Sequence, residues 1–361
     1  MSGRASAGAR LALVVVGAGV AAFLAALGWL VIVYPDAPGP GRGRVVAVEL
    51  AAGVPLPTLA RDLAARGVLS RPRAWALYAR VLGAAARLRT GTVLVRDSMR
   101  PREILQRVAT GYGPVELRVT FPEGFDRFDV AQELERWGIV RRDAFLRATE
   151  DAALLAAIGI RASSAEGYLF PDTYTLRDDT TAERLVRRLV DNARRKTSIA
   201  LERHTSAMQR LATELGWGPH QVLTLASVVE KEARVADEQP VIAGVFLNRL
   251  VRAEFRPKRL QADPTVAYGC RVYADLASCR AFDGRHVLPS MLQDAANPYN
   301  TYRHDGLPPG PIANPGLGAI HAVLAATRHD YFYFVASGGG RHAFSATLDE
   351  HQAAIQRTRG E

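Results

Sequence analysis

Apolar residues recur with two different periods along this chain, and the two periods predict both helices and strands. A spacing of three to four residues predicts helices at residues 127–137, 141–148, 182–192, 199–214, 221–233, 239–252 and 317–326. Runs rich in β-branched and aromatic residues predict strands at 45–50, 115–121 and 331–337, and three glycines at 338–340 predict a turn into one more strand. Helices and strands do not alternate regularly, so we predict an α+β fold and not a doubly wound parallel sheet.

The first long apolar run predicts a membrane anchor. Residues 11–33 carry no charge, and as a helix this run spans roughly 30 Å of hydrocarbon. Arg4 and Arg10 precede it and Asp36 is the first charge after it, which predicts that residues 1–10 lie in the cytoplasm and the bulk outside. A cleaved signal peptide is the alternative, but its apolar region usually has only about 7–15 residues. Residues 34–44, rich in proline and glycine, predict a short extended linker.

An internal repeat organises the region after the linker. Five positions recur 71 residues later with the same or a similar residue: Gly53, Ala60, Leu63, Gly67 and Val68 match Gly124, Ala131, Leu134, Gly138 and Ile139. Each copy follows a strand-like run and ends its helix at a glycine. The repeated unit is therefore predicted to be a strand, a turn and an amphipathic helix.

Composition and charge narrow the classes of partner. With 48% hydrophobic and 23% charged residues, the chain is predicted to be folded and long enough for two domains. The net charge of +10 favours acidic partners, which outside a bacterial membrane are anionic headgroups or wall polymers. The arginines are scattered along helices and are not interleaved with aromatic residues, so we predict no nucleic-acid binding.

Cysteine and histidine spacing argues against a metal site. Cys270 and Cys279 are nine residues apart, and in an exported domain they can close a small disulfide loop; free thiols and metal ligands are the alternatives. No CxxC, HExxH or HxH pattern accompanies them. We therefore predict no metal and no cofactor.

One carboxylate stands out for its place on a predicted helix. In QVLTLASVVEKEA, residues 221–233, Glu230 borders an apolar stripe, whereas Lys231 and Glu232 are predicted to face solvent. Partial burial disfavours ionisation, so a carboxyl group at such a border tends to have a raised pKa and can donate a proton near neutral pH. The alternative is a boundary glutamate that merely reaches water.

Four further motifs, all predicted to be rigid loops, accompany this helix. They are EGYLFPDTY at 166–174, LQADPT at 260–265, PYNTY at 298–302 and GLPPGPIANP at 306–315. Together with VVEKEA at 228–233, these motifs resemble those of the endolytic murein (peptidoglycan) transglycosylases, the MltG or YceG-like family. The resemblance extends from about residue 45 to about residue 354. The segment between residues 269 and 298 departs from it, because it is longer than expected and holds both cysteines.

The resemblance implies a lyase that cuts the β-1,4 bond between N-acetylmuramic acid and N-acetylglucosamine without water. Glu230 would act first as acid and then as base, leaving a 1,6-anhydro end. One carboxylate suffices because the nucleophile belongs to the substrate, whereas ordinary glycosidases need two. Glu166 and Asp263 are the carboxylates that could make the enzyme a water-using muramidase instead. A non-catalytic, membrane-anchored wall-binding scaffold is the third possibility.

The resemblance also implies a set of glycan contacts and a domain plan. The expected substrate-binding residues are Glu166, Gln261, Asp263, Thr265, Tyr299, Asn300, Thr301 and Tyr302. Each of these residues also has a purely structural alternative: Asp263 can be a turn residue and Glu166 a loop or cap residue. The tyrosines can simply support their own loop. Residues 45–114 resemble a LysM-like module, which either contacts glycan or only spaces the catalytic domain, 115–361, from the membrane. The implied partners are nascent peptidoglycan strands and the plasma (inner) membrane, with the catalytic domain periplasmic; the family also suggests peptidoglycan synthases, which nothing in these residues establishes.

Overall fold

Short two-stranded sheets lie among a larger number of helices in this computed structural model, which describes residues 3–359 except 85–87, 89, 111–116 and 178–179. The helices are α1 Gly3–Gly28, α2 Leu56–Ala65, α3 Pro72–Val81, α4 Pro101–Thr110, α5 Arg127–Arg136, α6 Arg142–Glu150, α7 Ala152–Ala157, α8 Ala182–Arg203, α9 Thr205–Leu215, α10 Pro219–Glu232, α11 Gln239–Val251, α12 Asp263–Val272, α13 Pro289–Gln293, α14 Leu317–Leu324 and α15 Leu348–Arg359. The strands are β1 Val45–Leu50, β2 Gly91–Arg96, β3 Leu117–Thr120, β4 Thr173–Leu176, β5 Tyr333–Gly338 and β6 Arg341–Ser345. They pair as β1 with β2, β3 with β4 and β5 with β6. The predicted mixture of helix and sheet is confirmed.

The N-terminal helix is long and apolar enough to cross a membrane. α1 continues through a π-helical turn, Trp29–Val33, and a 3₁₀ turn, Tyr34–Asp36. Of this stretch, Val15–Asp36 forms a candidate span that is almost entirely uncovered by the rest of the protein. An apolar helix that the rest of the protein leaves mostly uncovered is compatible with the predicted anchor.

The chain divides into two compact units. The first comprises Met1–Leu117 with Arg136–Ile139 and Leu176–Asp179, and the second the remaining residues to Glu361. In the first unit, α2, α3 and α4 pack on the β1–β2 sheet around the fully buried Trp75, Leu63 and Ile104. In the second unit, α10, α11 and α14 pack around Ala226, Phe246 and Val323.

The repeat is visible in the backbone and is longer than the predicted strand, turn and helix. Helix α2 and helix α5 begin and end 71 residues apart. The turn glycines before them, Gly53 and Gly124, have φ of +70° and +76°, a left-handed conformation that favours glycine. Each copy continues through a second helix, a second strand and a third helix, so the element order β1, α2, α3, β2, α4 recurs as β3, α5, α6, β4, α8, with α7 inserted. The proposed likeness of residues 45–114 to LysM modules stays a prediction.

Helix α10 differs from the predicted amphipathic helix, because it is buried on every side. All residues from Val222 to Val229 are buried, since α11, α12, α14 and the loop after residue 306 surround them. Pro219 occupies the first turn, where its missing N–H costs no hydrogen bond. The last turn, with Glu230, Lys231 and Glu232, emerges from the core. The apolar stripe that the sequence predicts is therefore too narrow.

Other predictions need correction at proline and at helix boundaries. The LQADPT motif is not wholly a loop, because Asp263 begins α12 and Pro264 fits its first turn. The helices predicted at 182–192 and 199–214 are α8, which runs on to Arg203, and α9. The strand predicted at 115–121 is Leu117–Thr120, and residues 115 and 116 lie outside the described part of the chain. The predicted glycine turn joins β5 to β6 as an antiparallel hairpin.

Candidate active site

Glu230 lies where the buried helix α10 leaves the core, and its side chain is half-buried. Its Oε2 accepts a hydrogen bond of 3.1 Å from the backbone N–H of Gly316, the residue before α14. Burial raises the pKa of Glu230, and the charge of Glu123 raises it further, while the Gly316 hydrogen bond and Lys231 act in the opposite direction. A carboxyl group of this kind is suited to donate and recover a proton.

A second carboxylate, Glu123, lies beside the same backbone. It belongs to the turn between β3 and α5 and is exposed to solvent. A Cβ atom on Gly316 would lie 1.9 Å from Glu123 Oε1, so a side chain at this position would have to displace the Glu123 carboxylate. Lys231 turns away and donates a 3.1 Å hydrogen bond to the Gly124 carbonyl oxygen. Glu123 is not among the site residues that the sequence predicts.

Glu166 is buried in a hydrogen-bond network that joins two loops. Its Oε2 accepts hydrogen bonds from the Arg127 backbone N–H at 2.9 Å and the Tyr268 hydroxyl at 3.0 Å, and its Oε1 accepts one from Asn314 Nδ2 at 3.1 Å. Burial raises the pKa of Glu166 to about 8, against the effect of these donors. Its exposed fraction is only 2%. This arrangement is that of a residue holding the loops in place, and the contact of Glu166 with substrate stays a prediction.

Asn314 ties the GLPPGPIANP segment to the turn that carries Glu123. Its Nδ2 also donates to the Phe125 carbonyl oxygen at 2.9 Å, and its Oδ1 accepts from the Leu169 N–H at 2.8 Å. The Gly124 N–H donates to the Asn314 carbonyl oxygen at 3.0 Å. Because Gly316 follows two residues later, this network fixes the donor that meets Glu230.

The LQADPT motif presents one exposed amide and one exposed carboxylate. Gln261 has φ of +53°, a left-handed conformation uncommon for a residue with a side chain, and it is exposed. Asp263 Oδ1 accepts a 2.7 Å hydrogen bond from the Tyr302 hydroxyl. Thr265 is buried and donates its hydroxyl proton to the Ala262 carbonyl oxygen. Gln261 and Asp263 are therefore available to a ligand, and Thr265 is turned inward.

The PYNTY motif is mostly internal. Asn300 is fully buried, and its Nδ2 donates to three backbone carbonyls between residues 291 and 294. Thr301 Oγ1 accepts from the Ala262 N–H at 3.1 Å, and Tyr299 packs edge-on against Tyr268 at 5.0 Å between ring centroids. Only Pro298 and Tyr302, the latter beside Asp263, are partly exposed in this motif. These contacts favour the tyrosine-buttressed loop, although a contact with glycan stays a prediction for each residue.

The sequence predicts that Glu232 faces solvent, and this prediction is wrong. Glu232 is half-buried between Asp263 and Arg249, and burial together with the charge of Asp263 raises its pKa to about 7. Tyr302 lies within its electrostatic reach. The prediction is wrong because Asp263 of α12 and Arg249 of α11 lie close to this side of the last turn of α10.

Comparison with known proteins fixes the family. The profile of the YceG-like family matches residues 48–357. The chain belongs to the YceG-like family. The predicted resemblance is therefore confirmed.

Relatives in this family carry a functional name. A protein of Bacillus subtilis (strain 168) named endolytic murein transglycosylase is 27% identical over 329 residues, which covers 86% of this chain and 84% of that protein. The endolytic murein transglycosylase of Streptococcus pneumoniae serotype 2 (strain D39 / NCTC 7466) is 27% identical over 300 residues, 74% of this chain and 50% of that protein. The crystal structure of a yceG-like protein from Listeria monocytogenes has a TM-score of 0.56 at 25% identity and covers 86% of this chain and 98% of that one.

The segment in which this YceG-like chain departs from the expected pattern forms a wall of a cavity beside α10. Cys270 and Cys279 form the predicted disulfide, with Cα atoms 5.0 Å apart. A cavity of about 490 Å³ is lined on one side by residues from 282 to 287 and on the other by Lys231, Asp263 and Tyr268. The segment therefore lines the same cavity as Lys231, the residue that follows Glu230. Among the described residues, no group of three or more His, Cys, Asp or Glu side chains could hold a metal ion.

Proposed function

We propose that this protein is an endolytic lytic transglycosylase that cuts the β-1,4 bond between N-acetylmuramic acid and N-acetylglucosamine in nascent peptidoglycan. The observation that carries the proposal is Glu230, a half-buried carboxyl group with a raised pKa that accepts a hydrogen bond from the Gly316 N–H at the end of helix α10. Membership of a family whose relatives are named endolytic murein transglycosylases supports the substrate.

In the proposed reaction, Glu230 performs both proton transfers. It first donates its proton to the glycosidic oxygen as the bond from that oxygen to C1 of the muramic acid breaks, and the glucosamine leaves with its hydroxyl restored. The C6 hydroxyl of the same muramic acid then bonds to C1, and its proton passes to the Glu230 carboxylate. The product has a 1,6-anhydro end, no water is consumed, and Glu230 returns to its starting state.

A water-using muramidase is the second candidate, because Glu123 places another carboxylate beside Gly316. Ordinary glycosidases use two carboxyl groups at most about 9.5 Å apart. Glu166, which the sequence offers for this part, is buried in its network, and Asp263 is bonded to Tyr302. We favour the transglycosylase because the named relatives carry that activity in their names. Product mass separates the two, since an anhydro product is lighter by one water.

The test is digestion of purified peptidoglycan by full-length protein and by Glu230→Gln. Glutamine keeps the shape and hydrogen-bonding capacity of Glu230 but transfers no proton, so cleavage should be abolished while the protein still sediments with peptidoglycan. Glu202→Gln, at an exposed position near the end of α8, is the matched control and should cleave normally. Cleavage by Glu230→Gln, or ordinary reducing ends from the unaltered protein, would contradict the proposed mechanism.

We further propose that the chain is a single-pass plasma membrane protein with its catalytic domain on the periplasmic side. The mostly uncovered apolar helix that includes Val15–Asp36 supports the anchor, and Arg4 and Arg10 support the orientation. A reporter that is active only in the cytoplasm should stay silent when fused to the C-terminus, and a signal from it would reverse the orientation. The family resemblance is also the basis for two other proposals: that residues 45–114 bind glycan, and that the protein associates with peptidoglycan synthases.

A further inference from the structure

Glu123 and Glu230 reach the same backbone from different parts of the second unit. Gly316 donates its N–H to Glu230 Oε2 at 3.1 Å, and the place where a Gly316 side chain would stand is occupied by Glu123 Oε1. Gly124 contacts Glu230 as well, because a Cβ atom there would lie 3.5 Å from Glu230 Cγ. Glu230 is therefore enclosed by the turn that carries Glu123 and by the residue that precedes α14.

The fold does not need a carboxylate at position 123. The corresponding residue of the first repeat is Ala52, and the glycine after it, Gly53, has nearly the same backbone conformation as Gly124. Among the described residues, no lysine, arginine or histidine forms an ion pair with Glu123. An exposed and unneutralised carboxylate that the turn does not require is thus held next to a half-buried one.

Among the described residues, the groups that act on Glu230 differ in the direction in which they move its pKa. Burial and the negative charge of Glu123 favour the protonated form, whereas the Gly316 N–H and the Lys231 ammonium group favour the ionised form. The Lys231 ammonium group also donates a hydrogen bond to the Gly124 carbonyl oxygen, so it does not interact with Glu230 alone. Glu230 also lies in the last turn of α10, where the helix carbonyls disfavour a negative charge. Glu123 is the one full negative charge in this set.

We propose that Glu123 is a positioning residue of the proposed reaction, whose negative charge beside Gly316 keeps the proton on Glu230 until the glycosidic oxygen takes it. After that transfer two carboxylates lie side by side, and their repulsion favours uptake of the proton from the substrate C6 hydroxyl. Glu123 transfers no proton and forms no covalent bond in this reaction. This role rests on the proposed function, because it assigns Glu123 to the reaction that Glu230 performs.

A pH profile separates this role from a merely structural one. In the unaltered protein, cleavage of purified glycan strands should decline on the alkaline side as Glu230 loses its proton. In Glu123→Gln the decline should begin at lower pH, so the loss relative to the unaltered protein should be several-fold greater on the alkaline side than on the acid side. Glu123→Asp, which keeps the charge, should restore part of the profile. Added salt should shift the unaltered protein toward the profile of Glu123→Gln and leave the variant nearly unchanged, because Glu123 is exposed.

A readout without turnover keeps the inference independent of the cleavage products. Full-length protein labelled with ¹³C at glutamate carboxyl carbons can be titrated by NMR, and the Glu230 signal is the one that disappears in Glu230→Gln. Its midpoint should move to lower pH in Glu123→Gln and stay in place in Glu202→Gln. An unchanged midpoint in Glu123→Gln, or an equal shift in Glu202→Gln, would overturn the inference. Ordinary reducing ends from the unaltered protein would instead refute the transglycosylase reaction. The titration midpoint of Glu230 would still decide whether Glu123 acts on it.

Discussion

Replacing Asn314 by alanine should destabilise the second unit strongly, because this buried side chain holds three separate segments together. Its amide donates to the Phe125 carbonyl oxygen and to Glu166 Oε1 and accepts from the Leu169 N–H. In Asn314→Ala, the Phe125 oxygen keeps the Asn314 backbone N–H at 2.8 Å. The Leu169 N–H and one oxygen of Glu166 lose their partner in a region without solvent access.

The magnitude follows from these two groups. A buried polar group without a partner costs about 1–3 kcal/mol, and more if it is charged, so the free energy of unfolding should fall by about 3–5 kcal/mol. For a unit of this size, 1 kcal/mol corresponds to a change in Tm of about 2–4 °C. The Tm of Asn314→Ala should therefore fall by roughly 10 °C.

Thermal unfolding of the full-length protein in detergent micelles, followed by tryptophan fluorescence, provides the measurement. Asn248→Ala is the matched control, because Asn248 Nδ2 donates to the His329 and Tyr331 carbonyls at 2.9 and 3.0 Å but is only half-buried. Water can replace those bonds, so the control should lose less than half as much. Equal losses in the two variants, or a loss of less than about 1 kcal/mol in Asn314→Ala, would refute the reasoning about unsatisfied buried groups.

Two further predictions concern the disulfide and Glu232. Replacing both Cys270 and Cys279 by serine should lower the free energy of unfolding by about 2.5 kcal/mol, because the disulfide closes a loop of nine residues. Thiol labelling of the unreduced exported protein should find neither cysteine reactive. Full labelling of both would show that packing alone holds the segment. Because the folded state raises the pKa of Glu232 from 4.5 to about 7, its stabilising effect is complete below pH 4.5 and is lost as the pH rises through 7. Glu232→Gln should therefore unfold with a flatter dependence of Tm on pH across this window, and equal slopes in the two proteins would contradict the burial of Glu232.

Periodicity and glycine spacing predict much of the fold, because they are local. The offset of 71 residues between α2 and α5 can be read from glycines that must adopt positive φ, and the predicted α11 matches the structure closely. The predictions differ from the structure mainly at proline: Pro264 marks the start of α12 and not a loop, since proline is tolerated in a first helical turn. Helices α3 and α4 also begin with proline, and the apolar pattern does not predict them.

The candidate site could be predicted only in part, because its geometry depends on contacts between distant segments. Glu230 can be found from its position on one helix, but the exposure of Glu232 depends on Asp263 and Arg249, which come from other elements. The part played by Asn300, a buried donor to carbonyl groups of α13 and the turn after it, is likewise decided by tertiary packing. A comparison of the two repeats could have drawn attention to Glu123, because the first copy has Ala52 there.

The repeat has a consequence for the smallest fragment that can be active. Its second copy, from β3 through α8, supplies the turn with Glu123, and the stretch inserted before β4 supplies Glu166 and Leu169 for the Asn314 network. A protein shortened to start at α8 would keep Glu230 and Gly316, yet the loop around Gly316 would lack its anchor. The second copy of the repeat is therefore part of the proposed active site, and a fragment meant to be active has to include it.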